Sequence, residues 1–412
     1  MDNDQTKERN KSFLRRRVIG PETPAPEEEN EADLDEQLRA HRLRKWIIIL
    51  VLLAIVAAAG VYLYNRHKNR VFSESEVLEE VDVPGVSGAS FVQYLSGALK
   101  VTGDGVSYLG DKGQTVWSTA YSMKDPMASV AGPYAAVADR MGRDLVICSE
   151  KGIFGQARTT LPITRISVSQ NGIAAVVMED AKASYVEIYA SDGSRLDIEI
   201  KALLTQSGYP MDVAISPNGQ ILAVAYVYFD QGLMKNQVVF YNFDEEGKEY
   251  VDRVVGGFKE YEEVMIGDVV FLSNQAAVVF ATDRVDFYNL RRSNEPSLRA
   301  SVPIGQEISG VAYGHSRVAV LTKNAGTPGL VTVYNTSGDE VFTYEPTYTP
   351  EKMELTDRGL ILYGGQHLTV LRENGKVRYN GTLSGGSAHI VQTAEDTYLQ
   401  ISEVGLRRIR LK

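Results

Sequence analysis

The stretch Val213–Tyr226, VAISPNGQILAVAY, contains two largely apolar runs separated by a Ser-Pro-Asn-Gly turn. Alternation within such runs is typical of β-strands, and Asn and Gly tolerate the positive φ that a tight reversal requires. The same pattern of two apolar runs around a polar turn recurs in ISVSQNGIAAVV, VVFLSNQAAVVF, VAYGHSRVAVL and MELTDRGLILY. The stretch therefore predicts a hairpin that forms part of a repeated β-structure.

A second marker of the repeat is a glycine-containing turn that follows an alternating strand. The glycines in this marker are Gly113, Gly152, Gly193, Gly247, Gly338 and Gly375. Successive gaps are 39, 41, 54, 91 and 37 residues, where 91 spans two units if Arg291–Glu295 (RRSNE) is a degenerate turn. A period near 40 with about four strands per unit is typical of propeller blades such as WD40-like repeats.

The number of units follows from the first strand of each one. These strands are expected to begin near residues 91, 128, 164, 210, 265, 307, 352 and 388. The last unit has length for only three strands, while one strand within residues 77–86 is left over. We therefore predict an all-β ectodomain, residues 77–412, folded as an eight-bladed β-propeller whose N-terminal strand completes the last blade. Seven blades remain the alternative if the fifth unit is misassigned.

The most apolar segment of the chain is Trp46–Tyr64, which has 19 residues and no charge. As a helix it spans about 28 Å, close to the thickness of a bilayer core. A cleaved signal peptide is the alternative, but its apolar core is usually shorter. Ten basic residues precede the segment and three follow it closely. This bias predicts a signal anchor at residues 46–64 in the cell membrane, with a cytoplasmic N-terminus and an extracellular C-terminal domain.

The segments that flank this predicted span are polar. Residues 1–45 are rich in Pro and Glu and predict a largely disordered cytoplasmic tail, with a short helix from about Glu27 as the alternative. Residues 65–76 predict a juxtamembrane stalk. The chain after residue 70 has 30 basic and 42 acidic residues. This net charge of −12 repels phosphate backbones, so we do not expect a nucleic-acid partner.

Motifs for catalysis or metal binding are not evident in the sequence. The five histidines are scattered, and HExxH, GxSxG and P-loop patterns are missing from the sequence. Asn242–Gly247 (NFDEEG) opens like an EF-hand loop, but Arg253 occupies the position that requires a glutamate. We interpret Trp117 as a tryptophan that packs in the core. Cys148, the single cysteine, is interpreted as a buried, inert thiol. We expect no catalytic residues, no cofactor and no metal.

The fourth unit is longer than the others, which predicts insertions. One candidate is VYFDQGLMKNQ, a lengthened hairpin that follows Tyr226 and carries Tyr228 and Phe229. The other is GGFKEYEEVMIGD, which carries Phe258 and Tyr261. Aromatic side chains on protruding loops are common in recognition surfaces, so these five residues are the predicted partner-binding set. The alternative, that they cover the edge of their own blade, remains open.

Several longer stretches carry a family resemblance. LPITRISVSQNGIAAVVMED, SGYPMDVAISPNGQILAVAY, VVFYNF and YVDRVVGGF, in a chain with a basic tail and a single anchor, resemble the bacterial family of domains of unknown function number 5711. The similarity covers nearly everything from the membrane helix to the C-terminus. It implies a membrane-anchored extracytoplasmic propeller in a single-membrane bacterium, and it brings no catalytic residues.

These observations favour a non-enzymatic scaffold that binds a protein or an envelope polymer outside the membrane. One alternative is a cell-wall-directed hydrolase or lyase with acidic residues at the central channel of the propeller. A cluster of carboxyl groups with shifted pKa values would favour that enzyme. A second alternative is a sensor that couples the ectodomain to the cytoplasmic tail. The sequence does not indicate an oligomeric state.

Overall fold

The computed structural model describes residues 29–412 except 84, 205–207, 262, 315, 324 and 404, and side chains are described except at 29–40 and 64–68. The chain divides into two units, Met1–Arg70 and Val71–Lys412. The part of the predicted tail before residue 29 lies outside the described residues, as does His315.

Helix α1, Glu29–Lys68, is the described element of the first unit. Its segment His41–Leu63 has a mean hydropathy of 2.8 and is a candidate membrane span. The helix includes residues 29–45 of the predicted tail, in line with the alternative of a helix from about Glu27, and residues 65–68 of the predicted stalk. No proline or glycine stands between Glu29 and Gly60, so nothing in the sequence stops the helix from extending ahead of the apolar segment.

The second unit is an eight-bladed β-propeller. Each blade is a four-stranded antiparallel sheet, and the described residues form eight such sheets. The strands of blades 1 to 4 are β2 (Ser90–Tyr94), β3 (Gly97–Thr102), β4 (Gly105–Leu109), β5 (Thr115–Ala120), β6 (Pro126–Ala131), β7 (Tyr134–Asp139), β8 (Asp144–Ser149), β9 (Gly152–Arg158), β10 (Ile163–Val168), β11 (Ala174–Glu179), β12 (Ala183–Tyr189), β13 (Arg195–Leu203), β14 (Tyr209–Ile215), β15 (Ile221–Asp230), β16 (Leu233–Asn242) and β17 (Val254–Phe258).

The remaining blades follow the same order, and two short 3₁₀ turns, Glu246–Glu249 and Val251–Arg253, lie between β16 and β17. The strands of blades 5 to 8 are β18 (Ile266–Ser273), β19 (Ala276–Ala281), β20 (Arg284–Asn289), β21 (Ser297–Pro303), β22 (Ile308–Gly314), β23 (Arg317–Thr322), β24 (Leu330–Asn335), β25 (Glu340–Tyr344), β26 (Lys352–Thr356), β27 (Gly359–Gly364), β28 (His367–Arg372), β29 (Val377–Thr382), β30 (His389–Gln392), β31 (Thr397–Ser402), β32 (Gly405–Leu411) and β1 (Ser75–Val81). The predicted blade count of eight is confirmed.

The predicted closure of the ring is also confirmed. Blade 8 has the strand order β30, β31, β32, β1, so the N-terminal strand supplies its outermost position. β1 runs antiparallel to β32, with Ser75 opposite Leu411 and Val81 opposite Leu406. A closed ring leaves no sheet with a missing fourth strand, which removes an edge prone to wrong pairing.

The hydrophobic core lies between blades rather than inside any one of them. Each cluster of buried side chains combines two neighbouring blades, for example blades 4 and 5, blades 2 and 3, or blades 8 and 1. The second strands β11, β19 and β27 are therefore buried on both faces. Outer strands such as β13 alternate between half-buried and exposed residues. The expected alternation thus holds for outer strands, while second strands are continuous apolar runs.

Candidate functional site in the central channel

Three of the five predicted partner-binding aromatics lie in the core. Tyr226 and Tyr261 are buried, and their hydroxyl groups lie 2.9 Å from that of Tyr241 and 2.8 Å from that of Tyr288. Phe258 is half-buried and its ring centre lies 4.7 Å from that of Tyr288. Tyr226 packs between blades 3 and 4, whereas Phe258 and Tyr261 pack between blades 4 and 5, so these side chains are not available to a partner.

The other two predicted residues lie on the long β15–β16 hairpin. Tyr228 is half-buried, while Phe229 is 72% exposed near the tip. Leu233 and Met234 on the opposite strand are also exposed, and Phe229 is paired with Met234. The hairpin therefore ends in a small apolar tip. Partner binding by Tyr228 and Phe229 stays a prediction.

The central channel is lined by the first strands of the blades, several of which carry a charged residue. Directly after a β-bulge, β10, β14, β18 and β22 carry Arg165, Asp212, Asp268 and Gly310. The third residue of β26 is Glu354. Four of these five positions therefore bring an ionisable group to the centre of the ring, and the fifth has no side chain.

Gly310, the glycine of this series, lines a cavity of about 540 Å³. The cavity is walled by the first strands β22, β26, β30 and β2, which belong to blades 6, 7, 8 and 1. A Cβ atom at Gly310 would have Leu321 as its nearest neighbour, at 3.8 Å. The site of the missing side chain is therefore open space, which contributes to the cavity.

Asp212 and Asp268 form a coupled pair of carboxyl groups on neighbouring strands. Burial, the charge of Asp212 and a hydrogen bond to it raise the pKa of Asp268 to about 8. Burial also raises the pKa of Asp212, although hydrogen bonds from Asp268 and from backbone amides oppose the shift. The Val269 amide donates to Asp212 Oδ2 at 2.8 Å. Because two adjacent carboxylates repel each other, the pair binds its protons more tightly than isolated aspartates do.

Tyr313 lines the cavity wall, and it lies close enough to Asp268 and Asp212 for their charges to act on its hydroxyl group. Its side chain is 49% exposed, so water reaches it through the channel. The surrounding strands nevertheless desolvate its hydroxyl, which raises the pKa, and Asp268 and Asp212 add to the increase. An accessible aromatic ring in a channel is available for contact with a ligand.

The cavity wall between blades 7 and 8 carries three more polar side chains. The Tyr363 hydroxyl donates to Glu354 Oε1 at 2.7 Å, and burial raises the pKa of Glu354 to about 7. Lys352 Nζ donates to the Ala388 carbonyl at 2.9 Å and lies 3.0 Å from His389 Nε2. Burial and the Lys352 charge lower the pKa of His389 to about 4. His389 is therefore neutral at neutral pH, while Glu354 is close to half-ionised.

The raised pKa of Glu354 predicts a specific pH dependence of stability. The folded chain binds this proton more tightly than the unfolded chain, so the contribution is complete below about pH 4.5 and is lost as the pH rises through about 7. Glu354→Gln should therefore raise the free energy of unfolding by about 2 kcal/mol at pH 8 and change it little at pH 4.5. Urea unfolding at both pH values measures the difference.

The control for this prediction is Glu351→Gln, which removes an exposed carboxylate from the neighbouring segment. It should not reproduce the gain in stability that Glu354→Gln shows at pH 8. If Glu354→Gln and the parent chain show the same change between pH 4.5 and 8, Glu354 does not titrate as described.

The sequence carries a sign of this site that does not belong to any catalytic or metal-binding motif. Charged residues stand inside the otherwise apolar first strands, as in ITRISV, PMDVAI, IGDVVF and KMELT. The position directly after the bulge is the same in blades 3, 4 and 5, and a charge there is unusual for a strand packed in a core. Within the described residues there is no group of three or more His, Cys, Asp or Glu side chains placed to hold a metal ion.

Comparisons with known proteins agree with the fold. The model of the family of unknown function DUF5711 matches residues 68–411. The crystal structure of Chaetomium thermophilum Sqt1 bound to the N-terminus of ribosomal protein L10 superposes with a TM-score of 0.55 at 14% identity, covering 82% of this chain and 100% of that one. A eukaryotic initiation factor gives 0.51 at 11% identity, covering 81% and 87%. No curated protein matches the chain.

Proposed function

The chain belongs to the family of unknown function DUF5711, and we propose that it is a membrane-anchored, extracytoplasmic propeller that binds a protein or an envelope polymer at its central channel. The observation that carries this proposal is the cavity of about 540 Å³ beside Gly310. Ligand sites are usually preformed concave spaces of about 300–1,000 Å³ that combine apolar walls with a few polar groups. This cavity matches that description.

Two further observations support the proposal. The apolar helix segment His41–Leu63 provides a candidate anchor, and the excess of basic residues before it favours a cytoplasmic N-terminus. Sqt1, which shares the fold at low identity, is described in complex with the N-terminus of a ribosomal protein. A propeller of this general kind is therefore able to hold a segment of another molecule, although that partner belongs to Sqt1.

Site-specific photocrosslinking in living cells tests the binding role. A benzophenone amino acid at Tyr313 stands in the channel, whereas the same group at Val251 stands on an exposed turn of blade 4. We expect a discrete crosslinked adduct, protein or glycan, from position 313 and none from position 251. The adduct should disappear when Gly310→Leu fills the cavity. If position 313 yields no adduct, or one that survives Gly310→Leu, the channel is not the binding site.

A second candidate function, a cell-wall-directed hydrolase or lyase, is favoured by the carboxyl groups of the channel. Asp268 and Glu354 have raised pKa values of about 8 and about 7, so each can carry a proton near neutral pH. Such groups are suited to general acid–base chemistry. Incubation of the detergent-solubilised full chain with cell-wall fragments should release products that Asp268→Asn and Glu354→Gln both suppress. Fragments recovered unchanged would remove this candidate.

A further inference from the structure

The polar groups around the cavity point to one chemical class of ligand. We propose that the channel cavity beside Gly310 binds an uncharged, polyhydroxylated ligand, a neutral saccharide unit, with Tyr313 as its aromatic platform. This inference rests on the proposed binding role of the channel and names the chemistry of what is bound there.

The first argument comes from hydrogen-bonding groups that the wall leaves available. Lys352 uses two of its three N–H groups on Ala388 and His389, which leaves one donor. Because an ammonium group only donates, His389 Nε2 is the acceptor and its neutral ring carries a proton on Nδ1, a second donor. Glu354 uses Oε1 for Tyr363, which leaves Oε2 as an acceptor.

Gln93 is a further polar residue of this wall. Its Nε2 donates to the carbonyl groups of Leu95, Gly97 and Gln392. Its buried Oε1 has no hydrogen-bond partner among the described residues. The wall therefore offers both donors and acceptors within one cavity. A hydroxyl group donates one hydrogen bond and accepts others, so a ligand with several hydroxyl groups can satisfy both kinds.

The second argument comes from charge. The acidic pair Asp212 and Asp268 lies next to the cavity rather than in its wall, and the Arg165 charge acts to lower the pKa of Asp212. Glu354 and Lys352 also have opposite charges, and Lys352 lowers the pKa of Glu354 against the effect of burial. On the cavity wall the Lys352 ammonium therefore stands near the carboxyl groups of Glu351 and Glu354, so charges of both signs are present. A strongly ionic ligand would meet repulsion from one member of each pair, whereas a neutral ligand would not.

The third argument comes from shape and apolar surface. The cavity volume of about 540 Å³ lies within the usual range for small-molecule sites. Tyr313 exposes half of its side chain there, and Val311 and Met353 add apolar walls. One face of a sugar ring is formed by C–H groups and packs well against an aromatic ring, while its edge presents hydroxyl groups. The cavity combines the two kinds of surface that such a ligand needs.

The test is equilibrium binding of defined probes to the full chain in a zwitterionic detergent, because alkyl glycoside detergents would compete. The probes are the neutral disaccharides cellobiose, maltose, trehalose and N,N′-diacetylchitobiose, with lysine and glutamate as charged comparisons. We expect at least one disaccharide to bind with a dissociation constant of about 1 mM or lower, and neither amino acid to bind at that concentration. Ligand-observed NMR measures both.

Variants show whether binding occurs in the cavity. Gly310→Leu fills it and Tyr313→Ala removes the platform, and each should weaken binding at least about tenfold. Tyr250→Ala is the matched control, because Tyr250 is 39% exposed and lies outside the cavity. Thermal unfolding confirms that each variant is folded, and Gly310→Ala serves as a milder filling change if Gly310→Leu does not fold.

Three outcomes overturn the proposal: no disaccharide binds at about 20 mM, the charged probes bind instead, or binding survives both cavity variants. A channel adduct from Tyr313 without disaccharide binding would leave the binding role intact and reject only the ligand class. If neither a channel adduct nor disaccharide binding is observed, the binding role itself is rejected.

Discussion

Gly193→Ala should lower the free energy of unfolding by about 3 kcal/mol, whereas Gly232→Ala should lower it by only about 1 kcal/mol. Both glycines adopt nearly the same left-handed conformation, with φ of 85° and 82°. A Cβ atom at Gly193 would lie 2.3 Å from the Gln156 carbonyl oxygen, but a Cβ atom at Gly232 would have no atom within 4 Å. The pair therefore separates the cost of backbone conformation from the cost of close packing.

The close contact at Gly193 joins two blades. Gly193 lies in the turn between β12 and β13 of blade 3, and Gln156 belongs to β9, the outer strand of blade 2. Backbone atoms cannot rotate away as a side chain can, so the two blades must separate to admit a methyl group. Urea unfolding of both variants measures the difference. Equal losses of stability would show that the contact between blades does not require glycine at position 193.

This contact explains part of the repeat that the sequence revealed. Gly113, Gly338 and Gly375 also have positive φ, and a Cβ atom at each would lie within 3.0 Å of a side chain in the preceding blade. Turn chemistry alone predicted where these glycines fall. The sequence did not show that the same residues also set the distance between blades, because that contact joins different blades, whose segments at Gly113 and Leu406 lie at opposite ends of the propeller sequence.

The architecture was predictable because each blade is a local unit of the chain. Hairpins joined by short turns leave a periodic pattern, and the unmatched strands at the two ends predicted how the ring closes. The cavity was not predictable in the same way. Gln93, Gly310, Glu354 and His389 come from four blades, and nothing in the local pattern shows that they meet. A missing side chain, as at Gly310, leaves no motif.

The aromatic residues of blade 4 show a different limit. Tyr226 and Phe229 are three positions apart on one strand, yet the first is buried and the second exposed. Tyrosine suits both situations, because its ring packs in a core while its hydroxyl needs only one partner. Tyr241 supplies that partner to Tyr226. The sequence located the lengthened hairpin correctly, but the contacts that bury its base are made by other strands.

Loss of the closing strand should have the largest effect on the propeller. A chain that begins at residue 83 lacks β1 and should show no cooperative unfolding transition, whereas a chain that begins at Val71 should unfold in one. β1 pairs with β32 from Ser75 to Val81, Leu78 is half-buried, and Val81 packs against the core between blades 8 and 1. Ladder hydrogen bonds and apolar burial together contribute about 5 kcal/mol, comparable with the whole stability of many domains.

The residues just before β1 add to this closure. The Phe72 amide donates to the Arg378 carbonyl at 2.7 Å, and the Phe72 ring packs against the core between blades 7 and 8. The Lys412 amide donates to the Glu74 carbonyl at 2.8 Å, so the C-terminal residue is held by the same segment. The exposed ion pair between Lys412 and Glu76 contributes little, because solvent screens it.

A synthetic peptide of residues 71–82 distinguishes ring closure from a general effect of shortening the chain. Added to the truncated propeller, it should restore a cooperative transition by adding a strand to β32, as edge strands do when they accept a peptide. The matched control is the same peptide with Phe72→Ala and Val81→Asp, which keeps the backbone but loses both apolar contacts and should not restore folding. Circular dichroism during heating follows both. A truncated chain that unfolds cooperatively without any peptide would show that blade 8 is stable with three strands, because the blades on either side would then supply enough contact to hold it.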